Sequence, residues 1–184
     1  IAITNPNGVS GTTFTWVVLS SSNVSGAAAG SGATISQVLS SSDGVTTGTV
    51  TYRITAHAGA CAGGTDDVTV TVDPVPSITN TATQLQADIC SAAPLNFTAT
   101  TSIAGTTLNW TSSASAEITG GVTASGTGAI TDAPVNTTSV AGTVTYTITP
   151  SFNGCAGTPV NYVVTVRPVA NVSASDATIC SGTV

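Results

Sequence analysis

Charged side chains are scarce in this sequence. Its 184 residues include two basic residues, Arg53 and Arg167, against eight acidic ones, and lysine and methionine are absent. Binding to nucleic acid needs several cations on one face to neutralise phosphates, so nucleic acid is not a predicted partner. No run of about 20 apolar residues occurs, so we predict no membrane span. The first residues also lack the basic region of a signal peptide.

Side chains for catalysis are equally few. His57 is the only histidine and Glu117 the only glutamate. Most enzyme sites combine a base, a nucleophile and a charge-stabilising group in one cleft. Neither the GxSxG nor the GxxxxGK motif is present. The sequence therefore predicts a protein that is not an enzyme, with no catalytic, cofactor-binding or metal-binding residues and no cofactor.

Hydroxyl-bearing and β-branched residues are abundant instead. Threonine occurs 36 times and serine 22 times, and valine, isoleucine and alanine supply most of the apolar volume. β-Branched residues pack well on a pleated sheet, and threonine can face water there without carrying charge. Because the strong helix formers are scarce, the composition predicts an all-β protein.

The sequence repeats itself after 94 positions. Gly-Thr-Thr-Phe-Thr-Trp at residues 11–16 matches residues 105–110, and Gly-Thr-Val-Thr-Tyr at 48–52 matches 142–146. A last match follows at a shift of 90, between Ile89-Cys90-Ser91 and Ile179-Cys180-Ser181. Two copies of one unit thus account for the chain, and residue 184 leads back in phase to residue 1. We interpret it as a two-repeat segment of a long periodic polymer, cut at an arbitrary phase.

Alternating residues predict the strands. Val144, Tyr146 and Ile148 alternate with threonines, and Val50, Tyr52 and Ile54 repeat this pattern in the first copy. Each is followed by a glycine-containing turn and a second valine-rich strand, which together predict a hairpin. Gly30, Gly32, Gly120 and Gly121 are interpreted as turns or bulges. The tryptophans and tyrosines of these strands are predicted core residues of β-sandwiches rather than ligand platforms; they are Trp16, Tyr52, Trp110 and Tyr146.

Short proline joints set the expected domain boundaries. The last strand of each copy ends at Pro74 or Pro168, with no long flexible linker after it. In that register residues 75–168 form one complete domain, residues 1–74 form a domain that lacks its first strand, and residues 169–184 form the first strand of the next repeat. Asp66 and Asp67 could suggest calcium, but Val160 and Asn161 occupy the matching positions, which favours a solvated loop.

Four cysteines, Cys61, Cys90, Cys155 and Cys180, lie at matched phases of the two copies. They form no CxxC motif, which favours disulfides in an extracellular compartment over zinc or redox catalysis. A free buried thiol is the alternative for any single cysteine. A bridge between Cys90 and Cys155 within one domain requires the first strand to lie near the hairpin loop. Cys61 and Cys180 would then pair only across the cut, each with an adjoining repeat.

The assembled motifs resemble those of a known family. They are Ile-Cys-Ser at 89–91, Gly-Thr-Thr-x-x-Trp, Val-Thr-Tyr-Thr-Ile-Thr-Pro, Asn-Gly-Cys-Ala-Gly-Thr-Pro and a closing Val-Thr-Val-x-Pro. Together they resemble the PKD-like, immunoglobulin-like repeats of very large surface proteins of Bacteroidota. Residues 56–60 depart from this pattern in the first copy. The resemblance implies tandem β-sandwich domains in gliding-adhesin-type proteins, with Cys90 and Cys155 as a bridge and Trp110 and Tyr146 in the core.

These features lead to one expected function and two alternatives. The expected function is a structural or adhesive segment of an extracellular filament or giant adhesin at the cell surface, with neighbouring repeats of the same polymer as partners. The first alternative is a module that binds surface glycans or proteins through residues 20–42 and 112–131, although aromatic side chains that would stack on sugars are absent there. The second is a pilin-like subunit that polymerises by donating residues 169–184 to a neighbour.

Overall fold

The computed structural model describes residues 1–176 and residue 181. Every regular element in these residues is a β-strand, as the composition predicts. The strands of the first repeat are β1 (Thr12–Ser22), β2 (Val24–Ser25), β3 (Gly30–Ser31), β4 (Ser40–Ser41), β5 (Gly48–Ala58) and β6 (Cys61–Val72). Those of the second are β7 (Gln86–Cys90), β8 (Thr107–Ala114), β9 (Ile118–Gly120), β10 (Ser125–Thr127), β11 (Val135–Asn136), β12 (Gly142–Phe152), β13 (Cys155–Ala156) and β14 (Val160–Arg167).

The first repeat contains a four-stranded sheet with the order β3-β1-β5-β6. Its long strands are antiparallel, with Trp16 opposite Ile54 between β1 and β5 and Tyr52 opposite Val68 between β5 and β6. A bulge between Val18 and Ser20 shifts the register of β1. The short strands β2 and β4 form a separate two-stranded sheet. Over residues 48–53 of β5 the buried residues alternate with the predicted period of two, whereas Ile54 is only partly buried.

The second repeat is built in the same way and has one more long-range pairing. Its larger sheet has the order β10-β8-β12-β14-β7, with β13 paired to β12. The strands β9 and β11 form a two-stranded sheet. On β12 the side chains of Val144, Tyr146 and Ile148 are buried at 0 to 1% exposure, as their alternation with threonine predicts.

Both predicted hairpins are present, and glycine is required in their turns. Phe152 pairs with Cys155 across a two-residue turn, whose central residues Asn153 and Gly154 have φ values of 47° and 86°. Two positive φ values in succession define the type I′ turn, which matches the twist of the flanking strands and is most often Asn-Gly. The corresponding turn of the first repeat is closed by Ala58 and Cys61. Each hairpin cysteine is therefore the first residue of the returning strand.

The described chain forms two compact units. One comprises Ile1–Asn80, Ala99–Asn109 and Thr149–Val160, and the other comprises Thr81–Thr98, Trp110–Ile148 and the described residues from Asn161 onward. No helix in the described part of the chain has the length and hydropathy needed to cross a bilayer.

Candidate functional site

The four aromatic residues predicted for the core are all buried. Trp16 and Trp110 are each 6% exposed, and Tyr52 and Tyr146 are fully buried. Trp110 meets Tyr146 edge to face, with ring centroids 5.6 Å apart, the arrangement that the quadrupoles of two rings favour. None of these rings lines an open surface on which a sugar could stack.

Tyr52 and Tyr146 each have a polar partner at the hydroxyl end. The hydroxyl of Tyr146 donates a hydrogen bond of 2.8 Å to Asp132 Oδ2, and that of Tyr52 donates one of 2.7 Å to Gln37 Oε1. Burial, followed by the hydrogen bond to Asp132, raises the pKa of Tyr146 well above its usual range. Both hydroxyls are therefore neutral donors that fix a loop to the core.

A glycine lies against each tryptophan, a contact that the sequence pattern does not predict. A Cβ atom added at Gly30 would be 2.5 Å from Cζ2 of Trp16, and one added at Gly126 would be 2.3 Å from Cζ2 of Trp110. Gly30 lies on strand β3 opposite Trp16, so its interpretation as a turn or bulge is wrong. Glycine allows close approach of a backbone to a ring, but at the shift of 94 Gly30 aligns with Ala124, so the repeat does not reveal this contact.

Strands β7 and β14 pair in parallel, and this is the pairing that distinguishes the second repeat. The register joins five residue pairs, from Val163 with Gln86 to Arg167 with Cys90. Backbone hydrogen bonds bracket it: the N–H of Val163 donates to the Leu85 carbonyl at 3.0 Å, and the N–H of Ser91 donates to the Arg167 carbonyl at 2.8 Å. The first and last strands of the repeat are therefore neighbours that run in the same direction.

A bidentate ion pair lies on the outer face of this ladder. Nε and Nη2 of Arg167 donate to the carboxylate of Asp88 at 2.8 Å and 2.7 Å. The hydrogen bond from Arg167 lowers the pKa of Asp88. Both side chains are more than half exposed, so the pair aligns the strands and contributes little to stability.

The first repeat has a similar cross-strand ion pair in place of the predicted loop. Asp66 and Asp67 both lie on strand β6, and the Asp67 carboxylate accepts two hydrogen bonds of 2.8 Å from Arg53. The prediction of a solvated loop at these two residues is therefore wrong, because β6 begins at Cys61 rather than near Val68. Within the described residues no group of three or more His, Cys, Asp or Glu side chains could hold a metal ion.

The outer edge of β6 is open. Its inner edge pairs with β5, and in the part of the chain that the structure describes no strand pairs with its other side. The equivalent edge of β14 is covered by β7. An uncovered strand edge has unpaired N–H and C=O groups, so the edge of β6 is open where β7 covers the second repeat.

A groove lies beside β6 in the first repeat. It has a volume of about 460 Å³ and is lined in part by Ile3, Phe14, Ile54 and Val68. In the second copy Phe97 and Tyr162 occupy the positions of Ile3 and Val68, and their rings stack with centroids 3.9 Å apart. The groove is thus the space that smaller side chains leave unfilled in the first repeat.

The cysteines are not bonded to one another within the described residues. Cys61, Cys90 and Cys155 carry free thiols, with Cys61 and Cys90 exposed and Cys155 partly buried. Cys180 lies outside the described residues, so its pairing with Cys61 across the cut stays a prediction.

The bridge predicted within one domain between Cys90 and Cys155 is not formed, and the strand register gives the reason. Cys90 pairs with Arg167, the last residue of β14, whereas Cys155 precedes Val160, its first residue. Seven residues of a strand span about 23 Å, while the Cα atoms of a disulfide lie at most about 7 Å apart. The two cysteines therefore lie near opposite ends of β14, Cys155 before its first residue and Cys90 beside its last.

Comparison with known families agrees with this architecture. A family model described as a PKD-like domain matches the chain twice, over residues 2–76 and 87–170. These two segments cover most of the 184 residues, and the chain therefore belongs to the PKD-like domain family. The prediction of an all-β fold made of two tandem PKD-like repeats is confirmed. No curated protein matches the sequence. The proposed boundaries at residues 74 and 168 stay predictions.

Proposed function

We propose that the chain is a structural, load-bearing segment of an extracellular filament or giant adhesin at the cell surface. The observation that carries this proposal is the parallel pairing of β7 with β14, the first and last strands of one repeat. Membership of the PKD-like family supports a module of this kind. The resistance of this repeat to tension follows from the direction of the two strands.

Tension applied to the chain pulls β7 and β14 in opposite directions along their axes. Because the strands are parallel neighbours, this tension shears the ladder, and its hydrogen bonds are loaded together rather than one after another. Each bond contributes a net ~0.5–1.5 kcal/mol, and Val164 and Val166 beneath the ladder are fully buried. Rupture therefore requires the ladder to break and the core to open in one step.

Single-molecule force spectroscopy on the full chain tests this proposal. We expect two unfolding events, and the one at higher force should release residues 86–167, a contour length of about 280 Å. The first repeat, whose β6 lacks a parallel partner in the described residues, should open at lower force and release about 200 Å between residues 12 and 72. Equal forces for the two events would contradict the role of the parallel ladder.

A matched pair of proline variants on β7 sharpens the measurement. The bracketing bonds at Leu85 and Ser91 mean that in a regular parallel ladder the N–H of Ala87 faces β14 and that of Asp88 faces away. Ala87→Pro should therefore lower the unfolding force markedly, whereas Asp88→Pro should lower it much less. The proposal fails if the two variants unfold at the same force as the unmodified chain.

The open edge of β6 favours a second candidate, a pilin-like subunit that polymerises by strand donation. Residues 169–184 resemble the segment that contains β7, so a second copy could supply them to β6. Sedimentation of the full chain and of residues 1–168 tests this candidate. Assembly of the full chain alone is expected, and equal behaviour of the two proteins would contradict strand donation.

A further inference from the structure

We propose that the cysteines join consecutive repeats instead of closing single ones. In this arrangement the hairpin cysteine of one repeat bonds the cysteine on the first strand of the repeat before it. For Cys155 the partner is the residue that the sequence repeat equates with Cys90, which is Cys180 of an adjoining copy of the chain. The inference rests on the proposed function only in requiring that repeats follow one another end to end.

The loop around Cys155 contacts the segment that follows β6. Two residues before it, Nδ2 of Asn153 donates a hydrogen bond of 3.1 Å to Oδ1 of Asp73, the residue that follows β6. Two residues after it, a Cβ atom on Gly157 would lie only 1.8 Å from the carbonyl oxygen of Pro76. All of these residues belong to one compact unit. The hairpin loop that carries Cys155 therefore lies against the carboxyl end of β6.

The cysteine on the first strand has a fixed position in the parallel ladder. On β7, Cys90 pairs with Arg167, the last residue of β14. The sequence repeat matches Thr-Val-Arg-Pro at 165–168 with Thr-Val-Asp-Pro at 71–74, so Arg167 corresponds to Asp73. A first strand that occupies the open edge of β6 in the same register places its cysteine beside Asp73.

In this arrangement the two thiols approach each other beside Asp73. The first-strand cysteine lies one strand spacing from Asp73, and Cys155 lies two residues from the side chain that binds Asp73, so their separation is on the order of 10 Å. Reaching the Cα distance of about 5.5 Å that a disulfide needs requires a displacement of the exposed Asn153-Gly154 turn. Cys90 of the same repeat is separated from Cys155 by more than the ~23 Å length of β14.

The same geometry recurs at the other end of the second repeat. Cys90 is exposed at the carboxyl end of β7. The hairpin cysteine of a following repeat would approach it as Cys155 approaches β6, and in a chain of two-repeat units that residue is Cys61 of the next copy. The pairs expected between copies are therefore Cys155 with Cys180 and Cys90 with Cys61.

The bond forms by thiol–disulfide exchange with a disulfide oxidant, such as oxidised glutathione or the oxidised form of a disulfide oxidoreductase. One cysteine thiolate attacks a sulfur of the oxidant disulfide, which forms a mixed disulfide and releases one thiol of the oxidant. The thiolate of the second repeat then attacks the protein sulfur of this intermediate and releases the other oxidant thiol. The oxidant gains two electrons and the two protons that the cysteines lose.

Peptide mapping tests the pairing because the aspartates separate all four cysteines. Cleavage on the amino side of aspartate places Cys61 on peptide 43–65, Cys90 on 88–131, Cys155 on 132–175 and Cys180 on the peptide that begins at residue 176. The full chain is incubated at high concentration in a glutathione redox buffer, its remaining thiols are alkylated, and it is digested in denaturant without reductant. We expect peptide 132–175 linked to the one beginning at 176, and 43–65 linked to 88–131.

Two single variants serve as matched controls. Cys155→Ser should abolish the first linkage and keep the second, and Cys90→Ser should do the reverse. Denaturing electrophoresis without reductant should show multiples of the 17.8 kDa chain that collapse to one band on reduction. A linkage between peptides 88–131 and 132–175 in single chains, or complete alkylation of all four thiols after oxidation, would overturn the proposal. Force measurements in reductant do not involve these bonds, so the proposed function can fail or hold separately.

Discussion

A single added methyl group at Gly126 tests whether Trp110 packs directly on the backbone of β10. The Cβ atom of Gly126→Ala would lie 2.3 Å from Cζ2 and 2.8 Å from Cε2 of the indole. Neither contact is possible without movement, and the indole is 94% buried beneath a ring, Tyr146, that is itself fully enclosed. Overfilling a packed core in this way costs about 1–3 kcal/mol.

The magnitude translates into a measurable shift. For a repeat of this size, 1 kcal/mol corresponds to roughly 4–8 °C in Tm, so a cost of about 2 kcal/mol lowers the Tm by roughly 8–16 °C. Differential scanning calorimetry measures the shift, and near-ultraviolet circular dichroism reports the displaced indole. Since alanine also restricts the unfolded chain and so stabilises by about 0.4–1 kcal/mol, the effect must be compared with a glycine that has free space.

Gly120→Ala supplies that comparison. Gly120 lies on strand β9 of the same repeat with no atom within 4 Å of an added Cβ, so this variant should match or slightly exceed the stability of the unmodified chain. Gly30→Ala should repeat the destabilisation in the first repeat, beneath Trp16. If Gly126→Ala and Gly120→Ala unfold at the same temperature, the close packing of glycine against tryptophan is refuted.

Two further predictions concern hydrogen bonds of the fold. Tyr146→Phe removes the donor to Asp132 and should lower the free energy of unfolding by about 1 kcal/mol in urea titrations; an unchanged midpoint would show that the bond is unimportant. Hydrogen bonds from Thr47 and Asn153 lower the pKa of Asp73, and one from Arg167 lowers that of Asp88. Because their folded pKa values lie below the unfolded ones, these carboxylates stabilise the fold above the unfolded pKa of about 3.9, and this contribution is lost as the pH falls through the folded values. The Tm should therefore decrease between pH 4 and pH 2, and a constant Tm across that range would contradict the assignment.

The strands could be predicted from the sequence because their residues alternate. Val144, Tyr146 and Ile148 are separated by threonines, and a period of two places them on one face whatever the rest of the chain does. The repeat then transferred the same prediction to β5. Such local patterns depend on near neighbours in the chain, which the sequence displays directly.

The cysteine pairing could not be predicted in this way because it depends on the direction of a distant strand. Matched phases show that Cys90 and Cys155 recur, but they do not show which end of the sheet each one occupies. That is decided by the parallel register of β7 on β14. The contact of Gly126 with Trp110 is similarly invisible, since it joins two strands through a side chain and a backbone.

Under the proposed load-bearing function, the groove beside β6 predicts that the two repeats resist tension differently. Where Phe97 and Tyr162 stack in the second repeat, the first has Ile3 and Val68 around an unfilled space. A string of such units under tension would lengthen stepwise, the loosely filled members yielding first and dissipating energy before the tightly filled ones are strained. The difference in core filling between otherwise similar domains would then limit the peak force that reaches the point of attachment.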